Sequence, residues 1–496
     1  MSRELLAIAP TLLGVALSSW VSCVAFTSCR AKGKNAAKSG AATTSDERVE
    51  AITHATIIDP ASGGVSQGDM TIVIRLARIV AIGPTGVVQI PSGAIVHDAY
   101  GQFVIPGLWD THVHLSQVGP RAFPLLVENG ITSVRDMGSD FGQILKWRTD
   151  REAGAIIPRI ISPGPKIDGG PLMRRQLNAN NPELDVVTSP AEARRTVDEL
   201  RARGVDFIKV HNGLTPPLYD AIVEQCKKDR LAFAGHLPTA GPLAATAAGQ
   251  RTIEHGRGML FCSPDTWARI KSDPGLREDA EYCAPLDMQS QIFPALVHAG
   301  TWFTPTLVSW RGHAMTGDPS LSHLLTNLSG YSAVWPQLRD HWDEMAEAPP
   351  TTFERQLLGQ FGGLASGASH AGVPLLAGTD LGESYVIPGY ALHDELELMV
   401  AAGVTTLAAL QSATSEPARA FGLTNTLGAI VVGQSADLVV LDGNPLVDIR
   451  NTRRIHAVLL NGHWTATGQS RVRDAGGAFI PALSATSDSL PAIAEP

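Results

Sequence analysis

Two textures alternate along this chain, short apolar runs punctuated by Gly and Pro and longer segments with helical spacing. Between Val49 and Asp98 only strand-like runs occur, at 55–58, 70–74 and 79–82 among others, and these are too short to make a core alone. The same texture returns at 427–441 and 455–464, so the two flanks are expected to pair into one small β-sandwich domain. In the middle, strand-like runs at 103–105, 131–134, 159–162, 207–210, 232–236, 252–255, 302–306 and 375–377 are separated by helix-compatible stretches such as 190–203 and 218–230. Repeated β then α predicts a parallel sheet, and eight strands, counting 103–105 as the first, is the number a closed (β/α)8 (TIM) barrel requires. The expected fold class is therefore α/β, with the N-terminal half of the β-sandwich over 49–105, the barrel over 106–425 and the C-terminal half of the β-sandwich over 426–470.

The ends read differently. From Leu5 to Ser28 there is no charge; Arg3 precedes this stretch and Arg30, Lys32, Lys34 and Lys38 follow it, the pattern of an export signal or membrane anchor over 1–30. A buried helix of the mature domain is the alternative. Residues 31–48 read as a linker and 471–496, rich in Ala, Ser and Pro, as a disordered tail. An exported protein is expected, periplasmic, secreted or membrane-attached, with any membrane link confined to the N-terminal segment.

Composition narrows the partners. The 496 residues are 44% apolar and 18% charged with a net charge of −9, which suits a globular protein with a sizeable core and argues against a nucleic-acid surface. Beyond the leader, Cys226, Cys262 and Cys283 show no CxxC spacing. Neither a disulfide framework nor a cysteine zinc site is expected, and a metal would be held by nitrogen and oxygen.

Candidate chemistry centres on Val104 to Leu115, V-I-P-G-L-W-D-T-H-V-H-L. In an extended strand residues i and i+2 share a face, so His112 and His114 project toward one point, as two imidazoles sharing a metal must. Two ligands hold a metal poorly, so others are expected at the C-terminal ends of later strands, where barrels carry their functional residues. Lys209, His236, His255 and Asp380 stand at such places. Each has a plainer reading: a rim lysine, two satisfied core histidines, a helix cap. Those four readings would have to hold at once.

With these motifs assembled, the chain resembles the amidohydrolase superfamily, in its prolidase-like and imidazolonepropionase-like branch, over about residues 49–462. P-G-L-W-D-T-H-V-H at 106–114, T-S-V-R-D-M-G at 132–138, F-I-K-V at 207–210, A-G-H-L-P at 234–238, T-I-E-H-G at 252–256, A-G-T-D at 377–380 and A-T-S-E-P-A-R-A-F-G-L at 413–423 carry the resemblance. It implies a (β/α)8 barrel with a β-sandwich from both chain ends. It implies two divalent metal ions, zinc first among ions that include manganese, iron and cobalt, with His112, His114 and Asp380 on the more buried one and His236 and His255 on the other. Lys209, carboxylated by CO2, would bridge them. A hydroxide bridging the ions would attack an amide, ester or lactone, with Asp380 as the catalytic proton carrier.

The substrate-binding candidates are His211, Arg135, Arg257, Arg311, Tyr385 and Tyr390, each equally open to a structural role. Dipeptides with C-terminal Pro or another residue, or N-acyl amino acids, rank first as small-molecule substrates. A one-metal imidazolonepropionase or cyclic-amidine deaminase is the runner-up, against which Lys209 speaks; a non-catalytic exported binding protein is the remote alternative. A homo-oligomer is expected.

Overall fold

The computed structural model describes residues 48–169, 181–238, 241–272, 281–315, 328, 330–345 and 352–465. The expected leader, nearly all of the linker and the tail lie outside the described residues. In chain order the strands are β1 (Val49–Ile58), β2 (Ser66–Arg75), β3 (Arg78–Pro84), β4 (Ile95–Asp98), β5 (Phe103–Pro106), β6 (Leu108–Val113), β7 (Ile131–Asp136), β8 (Arg159–Ile161), β9 (Lys166–Gly169), β10 (Leu184–Val187), β11 (Ile208–Val210), β12 (Phe233–Gly235), β13 (Thr252–Glu254), β14 (Trp302–Thr304), β15 (Leu438–Leu441), β16 (Ile455–Leu460) and β17 (His463–Trp464).

The two flanks of the chain do pair. One eight-stranded sheet runs β17-β16-β15-β5-β1-β2-β3, with β4 beside β1. Its apolar face buries Ile52, Ile57, Ile72, Val104, Leu438, Val440, Leu459 and Trp464 together, residues from opposite ends of the chain that neither flank could cover alone. At about 1.5–3 kcal/mol for each large side chain removed from water, this shared face is what holds the flanks to each other.

Here the strand count needs correcting. Phe103–Ile105 is not the first barrel strand: β5 pairs antiparallel with β15 and parallel with β1, inside the flank sheet. Gly107 separates it from β6, and a side chain at Gly107 would collide with Thr132. Parallel pairing with β7 begins only at Leu108. The apolar run and the histidine strand thus belong to different sheets, divided at the Pro-Gly step.

The middle forms two parallel sheets, β6-β7-β8 and β10-β9-β11-β12-β13-β14. Strands β9 and β10 go beyond the sequence pattern, whereas the run 375–377 makes bridges and not a ladder. Leu375 pairs with Phe303 of β14 and Leu381 with Val113 of β6, while Thr111 N donates to Ala377 O at 2.9 Å and Asp380 N to His112 O at 2.8 Å. This segment therefore lies against an edge strand of each parallel sheet. At the other side Asp206 N donates to Ser162 O at 3.0 Å, linking the exit of β8 to the approach of β11. The architecture is mixed α/β.

Helices follow the sequence pattern closely. Pro190–Arg203 begins after Ser189, whose hydroxyl accepts from Glu192 N, and stops at Gly204 with φ 89°, as capping chemistry demands. Its buried Ala193, Val197 and Leu200 form the i, i+4, i+7 stripe that packs on the helix Pro216–Asp229. Among the described residues no helix is long and apolar enough to cross a membrane. The cysteine expectation fails at one point: Cys262 and Cys283 form a disulfide. They lie 21 residues apart and are brought together by the loop pairing of Leu260 with Cys283, a tertiary event invisible in their spacing.

Candidate metal centre

Strand β6 carries His112 and leads straight into His114, and alternation alone aims both rings to one side. His112 donates through Nδ1 to Glu254 Oε2 at 2.9 Å, and His114 through Nδ1 to Gly138 O at 3.2 Å. Each ring is thus held by one nitrogen, leaving Nε2 turned to Asp380 Oδ1, at 3.3 Å from His112 and 3.4 Å from His114. Ligand atoms of these three buried residues lie within 4.8 Å of one another. His112 Nε2 is buried without a hydrogen-bond partner, and a buried imidazole nitrogen left in that state suits a cation.

His255 and His236 extend the cluster. Ring centroids are 4.6 Å apart for His112 and His255 and 4.9 Å for His255 and His236. His255 Nδ1 is 2.9 Å from Thr306 Oγ1 and 3.5 Å from Asp380 Oδ2; His236 Nδ1 bonds Asn212. His255, Thr306 and Asp380 all have left-handed backbone, φ 65°, 49° and 62°, a conformation costing a non-glycine residue about 1–3 kcal/mol. Such strain, gathered where strands end at a polar cluster, marks positions set by the site and not by local preference. The glycines before the ligands allow close approach: a Cβ on Gly378 would sit 2.8 Å from His112 Cβ, and one on Gly235 would sit 2.2 Å from Val210 O.

Lys209 stands in β11 with its Nζ buried and without a partner. Burial pushes its pKa down to about 7, against the pull of Glu254 and Asp380, so a large share of the amine is neutral at neutral pH. Burial brings His112 down to about 4 and holds His236 and His255 well below the ordinary histidine range, Lys209 adding to the effect in each. Burial would raise Asp380, but His255, His112 and His114 hold it well below the usual carboxylate range. Neutral imidazoles, one anionic carboxylate and a free amine make a nitrogen and oxygen donor set that fits a divalent cation.

Known proteins resemble this chain in part of its sequence and in its fold. The amidohydrolase family profile matches residues 353–465. A solved structure from Bifidobacterium longum classed with the prolidases is 26% identical, covering 84% of this chain and 95% of its own, with a TM-score of 0.61. A Xaa-Pro dipeptidase with methionine in its active site is 22% identical over 84% of this chain and 99% of its own, TM-score 0.62. A bottromycin amidohydrolase is 23% identical over 85% and 88%, TM-score 0.63. Among curated proteins none matches. Residues 353–465 are thus amidohydrolase-like, and the solved structures share the fold of the chain.

Within this site the remaining candidates separate. Arg135 is corrected as a substrate contact: it is fully buried, donating to Thr111 O at 2.5 Å, Thr252 Oγ1 at 2.8 Å and Glu254 Oε2 at 2.8 Å. Its charge is engaged beneath the cluster, where Glu254 compensates it. His211 lies beside the site, its ring centroid 4.5 Å from that of His236 and its Nδ1 2.6 Å from Asp168. Arg257 pairs with Glu281 at 2.5 Å and covers Tyr282 and Trp310. Arg311 pairs with Asp394 at 2.6 Å. Tyr385 packs on Trp342 and Tyr390 begins the helix Tyr390–Ala401 against Gly330.

Two buried carboxylates at the cluster escape the sequence reading. Glu254 is overshadowed by its neighbour His255, yet it joins His112 to Arg135. Asp110 accepts from His112 N, Thr379 N and Thr379 Oγ1, tying β6 to the segment that bears Asp380; burial raises its pKa to about 7. The available signal is a carboxylate inside an apolar strand, which is rarely left unpaired.

Proposed function

We propose that this protein is an amidohydrolase, a binuclear metal-dependent hydrolase of amide bonds in dipeptides, with C-terminal Pro or another residue, or in N-acyl amino acids. The observation that carries the reading is the pair of orphaned nitrogens, His112 Nε2 and Lys209 Nζ, in a cluster that also holds Asp380 and three further imidazoles, His114, His236 and His255. His112, His114 and Asp380 would hold one ion and His236 and His255 the other. The neutral amine of Lys209 would add CO2 and release a proton, giving a carbamate whose single negative charge is shared by two oxygens suited to holding both ions. We include in the proposal that the two parallel sheets and the 375–381 segment are the walls of one (β/α)8 barrel, and that the protein is exported and oligomeric.

Bound divalent ions lower the pKa of water toward neutrality and polarise a carbonyl. Asp380 is suited to the proton work: Oδ1 faces His112 and His114, and Oδ2 faces His255 and Ser309 Oγ at 3.4 Å. It takes the proton of the attacking water as the C–O bond forms and delivers it to the leaving nitrogen as the C–N bond breaks. His211, fixed by Asp168 and beside His236, would be placed to meet a substrate's polar end. The relatives' names, a prolidase and a Xaa-Pro dipeptidase, support a dipeptide substrate.

A one-metal enzyme is the second reading, favoured by the fact that His112, His114 and Asp380 alone form the three-ligand group among the described residues. Metal analysis of purified protein decides: two ions per chain, falling on Lys209→Ala, supports the binuclear reading, and one ion unaffected by that change rejects it. A screen of dipeptides and N-acyl amino acids tests the substrate, and activity confined to lactones or nucleobases overturns it.

A further inference from the structure

Away from the metal cluster a second cavity of about 340 Å³ opens where the flank sheet meets the parallel strands. It is lined by Arg78 at the first residue of β3, Arg151 from the last turn of the helix Phe141–Glu152, Arg159 at the first residue of β8, and Asn461. Because Arg159 starts its strand, the cavity lies at the end of the parallel strands opposite the ligands. It is a different place with different chemistry.

Three guanidinium groups gather there and the acids do not balance them. Asp437 pairs electrostatically with Arg159, Oδ2 to Nη2 at 3.6 Å, but its buried Oδ2 makes no hydrogen bond and its Oδ1 accepts from Asn461 N at 2.6 Å, so one acid stands against three guanidinium groups. Glu152, exposed, acts on Arg151 only through its field. Arg78 is anchored by Gly433 O at 2.8 Å. Inside, Arg151 Nε and Nη2 and Arg159 Nε are buried without a hydrogen-bond partner. Burial, with the like charge of Arg159 beside it, lowers the pKa of Arg151. Two cations held together with their donors unmet is an arrangement that needs acceptors bearing negative charge.

We propose that this cavity binds a tetrahedral oxyanion of the phosphate class, free or as a small monoester. Such a group offers several acceptor oxygens and no donor requirement, which matches planar guanidinium forks. The volume accommodates the anion with room for a small substituent. The occupant would join three regions of the fold at once: the N-terminal flank through Arg78, the C-terminal flank through Asn461 and the parallel layer through Arg151 and Arg159. Binding therefore stabilises the chain by mass action and is independent of what the metal cluster hydrolyses.

The test is titration of the full chain with inorganic phosphate at constant ionic strength, read by Tm and by calorimetry. The expected result is a saturable rise in Tm that is weakened at least about tenfold by Arg151→Gln and Arg159→Gln and is unchanged by Arg450→Gln, an exposed arginine paired with Asp448. If either cavity variant fails to fold, Arg78→Gln at the rim must still weaken binding. Glycerol phosphate in parallel distinguishes sources: tighter binding than phosphate assigns an ester, equal or weaker binding the free ion. A rise that never saturates and persists in Arg151→Gln reflects general exclusion from the surface and overturns the proposal. So does an effect that disappears when a chelator strips the metals, since the anion is then at the other site.

Discussion

Replacing Glu254 by Gln keeps the shape of the side chain and deletes the charge, which isolates what that charge holds. Glu254 is fully buried; Oε2 lies 2.9 Å from His112 Nδ1 and 2.8 Å from Arg135 Nη2, and Oε1 accepts from Thr252 Oγ1. Burial would raise its pKa, yet Arg135 and His112 together hold it well below the usual carboxylate range. Removing one partner of a buried ion pair leaves the other uncompensated and costs about 3–5 kcal/mol, a large share of the roughly 5–15 kcal/mol by which a domain is stable. Loss of the carboxylate behind His112 should also weaken metal binding by about 10–100-fold. Urea unfolding of chelated protein measures the first effect and competition with a coloured chelator the second. Because the folded pKa is depressed, this stabilisation is present above the unfolded carboxylate value near pH 4 and is lost as pH falls below it. Wild type should therefore lose this contribution on acidification, and Glu254→Gln should not. Replacing both partners by apolar residues, Arg135→Met with Glu254→Leu, should be less costly than the sum of the two single changes by about 2 kcal/mol or more. A Glu254→Gln protein within about 0.5 kcal/mol of wild type, with unchanged metal affinity, would refute the reasoning.

Three further outcomes are expected. Glu395 is fully buried with Oε1 unpartnered, and burial raises its pKa to about 8 despite bonds from Val308 and Leu307; the folded state then keeps a proton the unfolded state loses. Wild-type stability should fall as pH rises from about 4.5 to 8, by at most about 1.4 kcal/mol per unit from this group, and Glu395→Gln should flatten that slope in pH-dependent unfolding. Reducing the Cys262–Cys283 bridge, or replacing both cysteines by Ser, frees a 21-residue separation and should cost about 3 kcal/mol in the chain-entropy view; equal Tm values with and without reductant would contradict this. Lys209→Met removes a buried amine without a partner, so chelated protein should unfold at equal or higher urea while metal content and hydrolysis fall; retention of both would remove Lys209 from the site.

Much of the cluster is legible in the sequence because each candidate ligand sits at a place that local pattern marks. The alternation in His112-Val113-His114 and the polar residues ending β12 and β13 need only strand periodicity to be noticed. What convergence looks like is not legible. Arg135 occupies a strand position as polar as any ligand's, and its burial under Glu254 depends on the pairing of β6 with β7 and on β13 lying across from them. His255 and Asp380 turn through left-handed backbone that no propensity of His or Asp foretells.

By itself the sequence determined the two-texture order of the chain, the helix at Pro190–Arg203 with its caps and the candidate ligands, since these follow from periods of two and 3.6 residues and from side-chain chemistry within a few positions. Tertiary structure alone decided that β5 joins the flank sheet, that Cys262 meets Cys283, that Glu254 stands behind His112, and that three arginines from separate elements line one cavity. Those facts rest on contacts between residues distant along the chain, whose energy appears only once the backbone has brought them together.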